Sequence, residues 1–100
     1  MKQLQQGDVL IVSAAIPTTA KRKEGRAIVA YGEATGHYHE VIGNGVEVYD
    51  ENGTLYVSAP SGGTIQHEEH KPIMLPPGDY QIGIVKEYDH FEEEARKVQD

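Results

Sequence analysis

The sequence predicts an all-β fold, a small β-barrel or sandwich of about seven short strands. Short apolar runs rich in β-branched residues recur along the chain and are separated by Gly, Pro, Asn and Asp, which is the pattern of strands and turns. Asn52-Gly53 lies between two alternating runs and is the strongest hairpin signal in the chain. Because 100 residues suffice for one compact domain, we expect residues 1–100 to form a single β domain.

Apolar runs mark the expected strands, at residues 9–12, 27–31, 37–42, 46–49, 55–57, 73–75 and 80–85. Residues 9–12 show no polar alternation, which is typical of a strand buried on both faces. We expect residues 1–7 to be a polar lead-in. Residues 13–26 contain Pro17 and four of the nine positive charges, and we expect them to form a loop.

Residues 89–100 differ in character from the rest of the chain. Asp89 precedes Glu92 by three residues, which is the spacing of a capping box, and Glu92 and Arg96 form an i,i+4 pair of opposite charge. The pattern predicts a short C-terminal helical segment.

Composition and charge argue against several classes of function. The 16 acidic and 9 basic residues give a formal net charge of −7, so we expect no long nucleic acid as a partner, because such binders need a basic surface. The absence of cysteine excludes disulfides and thiolate metal sites. No apolar run approaches the roughly 20 residues that cross a bilayer, so we expect a cytoplasmic protein with no membrane partner.

Four of the five histidines lie in two short runs, which indicate a functional site. His37 and His39 share one face of an expected strand, because side chains alternate along a strand with period two. His67 and His70 are three residues apart, so an extended strand would point them in opposite directions, and both can join the site only if the chain turns there.

Neutral imidazole is a common ligand of transition metals, and without cysteine any metal must be held by nitrogen and oxygen atoms. The sequence therefore predicts a divalent transition metal, zinc, nickel, manganese or iron, with ligands among His37, His39, His67 and His70. His37, His39 and His70 are the candidate catalytic residues. Glu40, Glu68 and Glu69 are further candidate ligands or bases, although most carboxylates in so acidic a chain lie on the solvated surface.

The spacing of Gly32, His37-x-His39 and Pro76-x-Gly78 before an alternating strand resembles the two motifs of the cupins. Cupins are small β-barrels that often hold a metal on two histidines, a glutamate and a third histidine. The resemblance implies a cupin-like or jelly-roll-like barrel, with His37 and His39 as the paired ligands.

The chain departs from the cupin pattern at the other two ligands. Gly43 and Asn44 stand where the family has its glutamate, and Gln81 stands where it has its third histidine. His67 and His70 would have to substitute from the preceding strand. The combination Gly-His-x-His, His-Glu-Glu-His and Leu-Pro-Pro-Gly-x-Tyr also resembles small unassigned proteins of bacteria and their phages, which implies no established activity.

Three functions fit these residues. The first is a metal-binding β-barrel, an enzyme or a small-molecule binder. The second is a metal-independent hydrolase of a small phosphodiester or nucleotide, with the paired histidines as acid and base. The third is a non-catalytic structural protein that assembles through its sheet edges, which must be covered or paired. A homo-oligomer is compatible with all three, and the basic residues 21–23 are candidates for closing over a small anionic ligand.

Overall fold

The computed structural model describes residues 3–31 and 37–84, which form ten β-strands in two antiparallel sheets. The strands are β1 (Gln3–Gln6), β2 (Val9–Ser13), β3 (Lys21–Lys23), β4 (Ile28–Tyr31), β5 (Tyr38–Ile42), β6 (Glu47–Glu51), β7 (Thr54–Ala59), β8 (Gly63–Gln66), β9 (Ile73–Leu75) and β10 (Gly78–Ile84). The all-β prediction is confirmed. The sheets are not closed, so the fold is a small sandwich, with more strands than the sequence predicts.

The six-stranded sheet has the order β1-β2-β10-β7-β6-β3, and the four-stranded sheet has the order β4-β5-β8-β9. Every pair of neighbouring strands is antiparallel. Both sheets supply core side chains, as expected when two sheets pack face to face. The core residues are Val9, Ile11, Val29, Val41, Val48, Val57, Ile65, Leu75, Tyr80 and Ile82.

Strand β2 is buried on one face, not on both as its apolar run predicts. Val9 and Ile11 are buried, while Leu10 and Val12 are half-buried. The reason is that β2 lies in a two-layer sandwich, where each sheet has an inner face and an outer face.

Two strands lie where the sequence predicts a lead-in and a loop. Gln3–Gln6 pairs with β2 along its whole length, and Lys21–Lys23 pairs with β6 at the edge of the same sheet. Neither strand shows an apolar alternation. β1 pairs with β2 across the turn at residues 7–8, and β3 pairs with β6, which lies about 25 residues further along the chain. The predicted C-terminal helix and residues 32–36 lie outside the described residues.

The hairpin between β6 and β7 is confirmed. Asn52 and Gly53 have φ values of 52° and 90°, as the primed turns of two-residue hairpins require. The Asp50 side chain accepts a hydrogen bond of 2.8 Å from the Gly53 N–H. Among the residues described, the structure has no helix of the length and apolar character that crossing a membrane takes.

Candidate histidine site

The four clustered histidines lie side by side because β5 and β8 are antiparallel neighbours. Glu40 of β5 lies opposite Gln66 of β8, so the start of β5 meets the end of β8. His37 directly precedes β5, and His39 is its second residue. His67 directly follows β8, and a bend at residues 68–70 turns the chain so that His70 also reaches the group.

His67 lies at the centre of this histidine cluster, defined as His37, His39, His67 and His70. Its ring centroid is 4.3 Å from that of His39, 4.7 Å from that of His70 and 5.7 Å from that of His37. The rings of His39 and His70 are nearly parallel, with centroids 6.1 Å apart. The structure therefore brings together all four histidines that the sequence singles out, while their chemical roles stay predictions.

His39 is fixed by Gln6, a residue that sequence reasoning missed. Gln6 and His39 are each only 2% exposed, and the His39 Nδ1 lies 2.8 Å from the Gln6 Oε1. The Gln6 amide nitrogen donates to the carbonyl oxygens of Ile65 and Lys71, so Oε1 is an acceptor and Nδ1 must carry the proton. The neutral His39 ring therefore keeps its lone pair on Nε2.

The environment of His39 favours its neutral form. Burial lowers the pKa of His39 below its ordinary value, and the imidazoles of His67 and His70 lower it as well. The carboxylates of Asp8 and Glu68 act in the opposite direction. A neutral imidazole is the form that binds a metal or accepts a proton.

His67 has the opposite tautomer. The backbone N–H of Glu69 donates to the His67 Nδ1 over 3.0 Å, so in a neutral ring the proton is on Nε2. His39 therefore has a lone pair on Nε2, and His67 has an N–H group at Nε2. The two rings contact each other.

His37, His67 and Glu68 each offer one ligand atom, and these three atoms lie within 4.8 Å of one another. Among the described residues no other group of three or more His, Asp or Glu side chains meets this condition. The Glu68 carboxylate accepts a hydrogen bond of 3.1 Å from the Tyr38 N–H. Its own backbone N–H and that of Tyr38 lower the pKa of Glu68, and His37 and His67 also lower it. We call His37, His67 and Glu68 the ligand triad.

The remaining predicted site residues flank the ligand triad. His39 and His70 lie beside His67 but outside the triad. His70 packs over the turn between β1 and β2, where a Cβ at Gly7 would come within 2.7 Å of the His70 Nε2. The His37 Nδ1 is 3.6 Å from a carboxylate oxygen of Glu69.

A polar cavity of about 260 Å³ lies next to the ligand triad and is lined in part by His67 and Glu68. Its lining residues are Arg26, Tyr38, Glu40, Gln66, His67 and Glu68. Tyr38 and Glu40 alternate with the buried His39 along β5, so they lie on the outer face of the four-stranded sheet. The sequence analysis places Arg26 in an expected loop. Its approach to Glu40 depends on the pairing of β4 with β5, which no local pattern reveals.

Comparison with known proteins gives a family without an assigned activity. No curated protein matches the chain, and no solved structure matches it. A family model described as a domain of unknown function (DUF8820) matches residues 5–84. This match covers the second half of β1, all of the other nine strands and the whole histidine cluster. The chain therefore belongs to the family of this domain of unknown function, DUF8820.

Proposed function

We propose that the protein binds a divalent transition metal ion at the ligand triad of His37, His67 and Glu68. The observation that carries the proposal is that their three ligand atoms lie within 4.8 Å of one another. Ligand atoms around a tetrahedral zinc lie about 3.4 Å apart, for bonds of about 2.1 Å. Movements on the order of 1 Å would bring the three atoms to that spacing.

Two imidazoles and one carboxylate suit zinc, nickel, manganese or iron(II). Three protein ligands leave at least one coordination position for water or a ligand, which is the arrangement of catalytic metal sites. The Tyr38 N–H would orient the Glu68 carboxylate, as outer hydrogen bonds orient metal ligands. His39 would supply the Nε2 lone pair beside the triad, held in place by Gln6.

Metal binding would require one hydrogen bond to open. If the metal bound the His67 Nδ1, the lone pair that accepts from the Glu69 N–H would be used. If it bound Nε2, a neutral ring would carry its proton on Nδ1, which could then not accept. The exposed bend at residues 68–70 is where the chain would adjust.

The test is titration of the chelator-treated protein with zinc, nickel, manganese and iron(II), followed by calorimetry and thermal unfolding. At a metal concentration 100 times the Kd we expect the free energy of unfolding to rise by about 2.7 kcal/mol. Glu68→Gln and His67→Ala should weaken binding at least tenfold. Glu24→Gln is the matched carboxylate control, because Glu24 is exposed and pairs with Arg22 away from the triad.

Two results would contradict the metal proposal. One is a protein that none of the four metals stabilises. The other is a protein whose metal affinity is equally lowered by Glu24→Gln and Glu68→Gln, which would indicate binding to surface carboxylates in general.

A second candidate function is metal-independent hydrolysis of a small phosphodiester. The complementary tautomers favour it, because the His39 Nε2 would accept a proton and the His67 Nε2–H would donate one. Hydrolysis of bis(p-nitrophenyl) phosphate that persists in EDTA and is lost in both His39→Asn and His67→Ala would support this function. Hydrolysis that EDTA abolishes, or that survives both substitutions, would reject it.

The finer predictions from the sequence stay proposals. They are the cupin-like arrangement of the strands, the cytoplasmic location, the likeness to phage proteins and the assembly into a homo-oligomer.

A further inference from the structure

The polar cavity on the outer face of the four-stranded sheet shares two residues with the ligand triad. His67 and Glu68 line the cavity of about 260 Å³ and also offer ligand atoms to the triad. A molecule in the cavity would therefore contact the groups that hold the metal. Since a cavity of about 150 Å³ admits benzene, this one has room for a small organic molecule.

Arg26 is held in the cavity wall by three hydrogen bonds and an aromatic ring. Its Nε and Nη2 donate to the two carboxylate oxygens of Glu40 over 3.1 and 2.6 Å. Nη2 also donates to the Tyr38 hydroxyl over 2.7 Å, and the guanidinium carbon lies 4.9 Å from the centre of that ring. These contacts use the Nε and Nη2 groups. The Nη1 group makes no hydrogen bond to any residue in 3–31 or 37–84.

Tyr38 provides a second donor. Because its hydroxyl oxygen accepts from Arg26, the hydroxyl proton remains to be donated to a molecule in the cavity. The hydrogen bonds to Glu40 and Tyr38 raise the pKa of Arg26 further above its already high ordinary value, so the guanidinium stays charged.

The charges around the cavity select the ligand. Arg26 is positive, while Glu40 and Glu68 are negative, so the wall carries a net charge of about −1 without metal, and a divalent cation changes it to about +1. We propose that the metal-loaded protein binds a small carboxylate monoanion in this cavity, with Arg26 Nη1 and the Tyr38 hydroxyl as donors. This inference rests on the proposed metal site. A phosphate dianion would leave the wall with excess negative charge.

The experiment is calorimetric titration of the zinc-loaded protein with benzoate, benzamide and inorganic phosphate. We expect benzoate to bind at least tenfold more tightly than its neutral isostere benzamide and more tightly than phosphate. Metal-free protein should bind benzoate at least tenfold more weakly than zinc-loaded protein.

Arg26→Gln and Tyr38→Phe should each weaken benzoate binding, by about tenfold and about threefold respectively. Tyr38→Phe keeps the backbone N–H that orients Glu68. A separate titration measures the zinc affinity of each variant, so that benzoate binding is compared at full zinc loading. Arg22→Gln is the matched control, because Arg22 of β3 pairs with Glu24, the residue after that strand, and does not line the cavity. Tyr38→Phe keeps the ring, so it tests the donor even if Arg26→Gln disturbs folding.

The two proposals fail in different ways. If zinc binds and benzoate binds no better than benzamide, or binds equally to Arg26→Gln and Arg22→Gln, the carboxylate site is wrong and the metal site stands. If benzoate binds the metal-free protein as tightly as the zinc-loaded protein, the role of the metal in the cavity is wrong. If zinc itself does not bind, the zinc titration shows that the metal proposal has failed, and the carboxylate proposal fails with it.

Discussion

The surroundings of His39 decide both its charge and its tautomer. A histidine in water titrates near its ordinary pKa of 6.5 and exchanges its proton between both nitrogens. His39 is 2% exposed and contacts Gln6 and the ring of His67, so the charged form loses solvation and meets other imidazoles. His37, two positions away, has different surroundings, because it is half-buried and lies beside the Glu69 carboxylate.

The lowered pKa of His39 predicts how the stability of the metal-free protein depends on pH. Below about pH 6.5 the unfolded chain binds a proton at His39 that the folded chain does not bind until its lower pKa is reached. The contribution to stability is therefore complete above pH 6.5 and falls as the pH drops below it. The slope is at most about 1.4 kcal/mol per pH unit for one proton.

Urea unfolding in EDTA at several pH values between about 7.5 and 5 measures this slope. His39→Asn keeps a donor to Gln6 and removes the titrating group, so the variant should show a shallower loss of stability as the pH falls. His70→Asn keeps the His39 ring and removes only one of the imidazoles that lower its pKa, so it should flatten the slope less than His39→Asn does. Equal slopes for the wild type and His39→Asn would show that protonation of His39 does not cause the loss of stability as the pH falls.

At the scale of the elements, the histidine cluster follows from two local patterns and one pairing. Period-two alternation puts His37 and His39 on one face, and the bend after β8 brings His67 and His70 together, which is the condition that the sequence analysis set for both to join the site. The pairing of β5 with β8 then joins the two runs. No local pattern gives that pairing, because it links residues far apart in the chain.

Weak apolar signals explain why sequence reasoning missed β1 and β3. β3 consists of Lys21, Arg22 and Lys23, a composition typical of an exposed loop, and its strand geometry comes from pairing with β6. β1 has one large apolar side chain, Leu4, so its run of glutamines gives no strand signal. The β6–β7 hairpin was predictable because its turn chemistry lies within the turn itself.

The turn between β6 and β7 permits a test of how much local backbone geometry contributes to the stability of the fold. Gly53 has a φ of 90° and open space around it, so a Cβ there would meet no other atom within 4 Å. Gly53→Ala should cost about 1 kcal/mol in the free energy of unfolding, because an L-residue resists the left-handed region. Urea denaturation followed by circular dichroism measures the difference.

Gly83 in β10 is the matched control. A Cβ there would lie 3.9 Å from the nearest atom, the Cβ of Leu10, which is ordinary contact, and its φ is outside the left-handed region. Gly83→Ala should therefore be neutral or stabilise by up to about 1 kcal/mol, by restricting the unfolded chain. If both alanine variants lose the same stability, the cost at Gly53 does not come from its φ value.

At the scale of the whole molecule, the two sheets formed by residues 3–31 and 37–84 do not close on each other, and they differ in width. The six-stranded sheet ends at β3, where Lys23 lies opposite the buried Val48 and is itself exposed. Charged side chains at an edge oppose pairing with another chain. β1 forms the other edge of the six-stranded sheet. It ends close to the four-stranded sheet, so the Gln6 side chain reaches its hydrogen-bond partners there.

Gln6 joins the two sheets at the histidine cluster. It ends β1 in the six-stranded sheet, and its side chain bonds to His39 of β5, to the carbonyl of Ile65 in β8 and to the carbonyl of Lys71 after β8. Gln6→Leu keeps a similar volume and removes all three hydrogen bonds. Buried groups without partners cost about 1–3 kcal/mol each, so we expect a loss of about 3 kcal/mol in the free energy of unfolding.

Gln5→Leu is the matched control, because Gln5 is the neighbouring residue of the same strand and is exposed. Among the described residues its side chain bonds only to the Gly7 carbonyl. It should cost less than about 0.5 kcal/mol. Nitrogen NMR of the imidazoles gives a second readout. The wild type should show His39 with its proton on Nδ1, and Gln6→Leu should show a mixture of tautomers, because nothing then holds that proton. Equal stabilities for the two leucine variants, with an unchanged tautomer, would mean that the sheets are joined here by packing and not by Gln6.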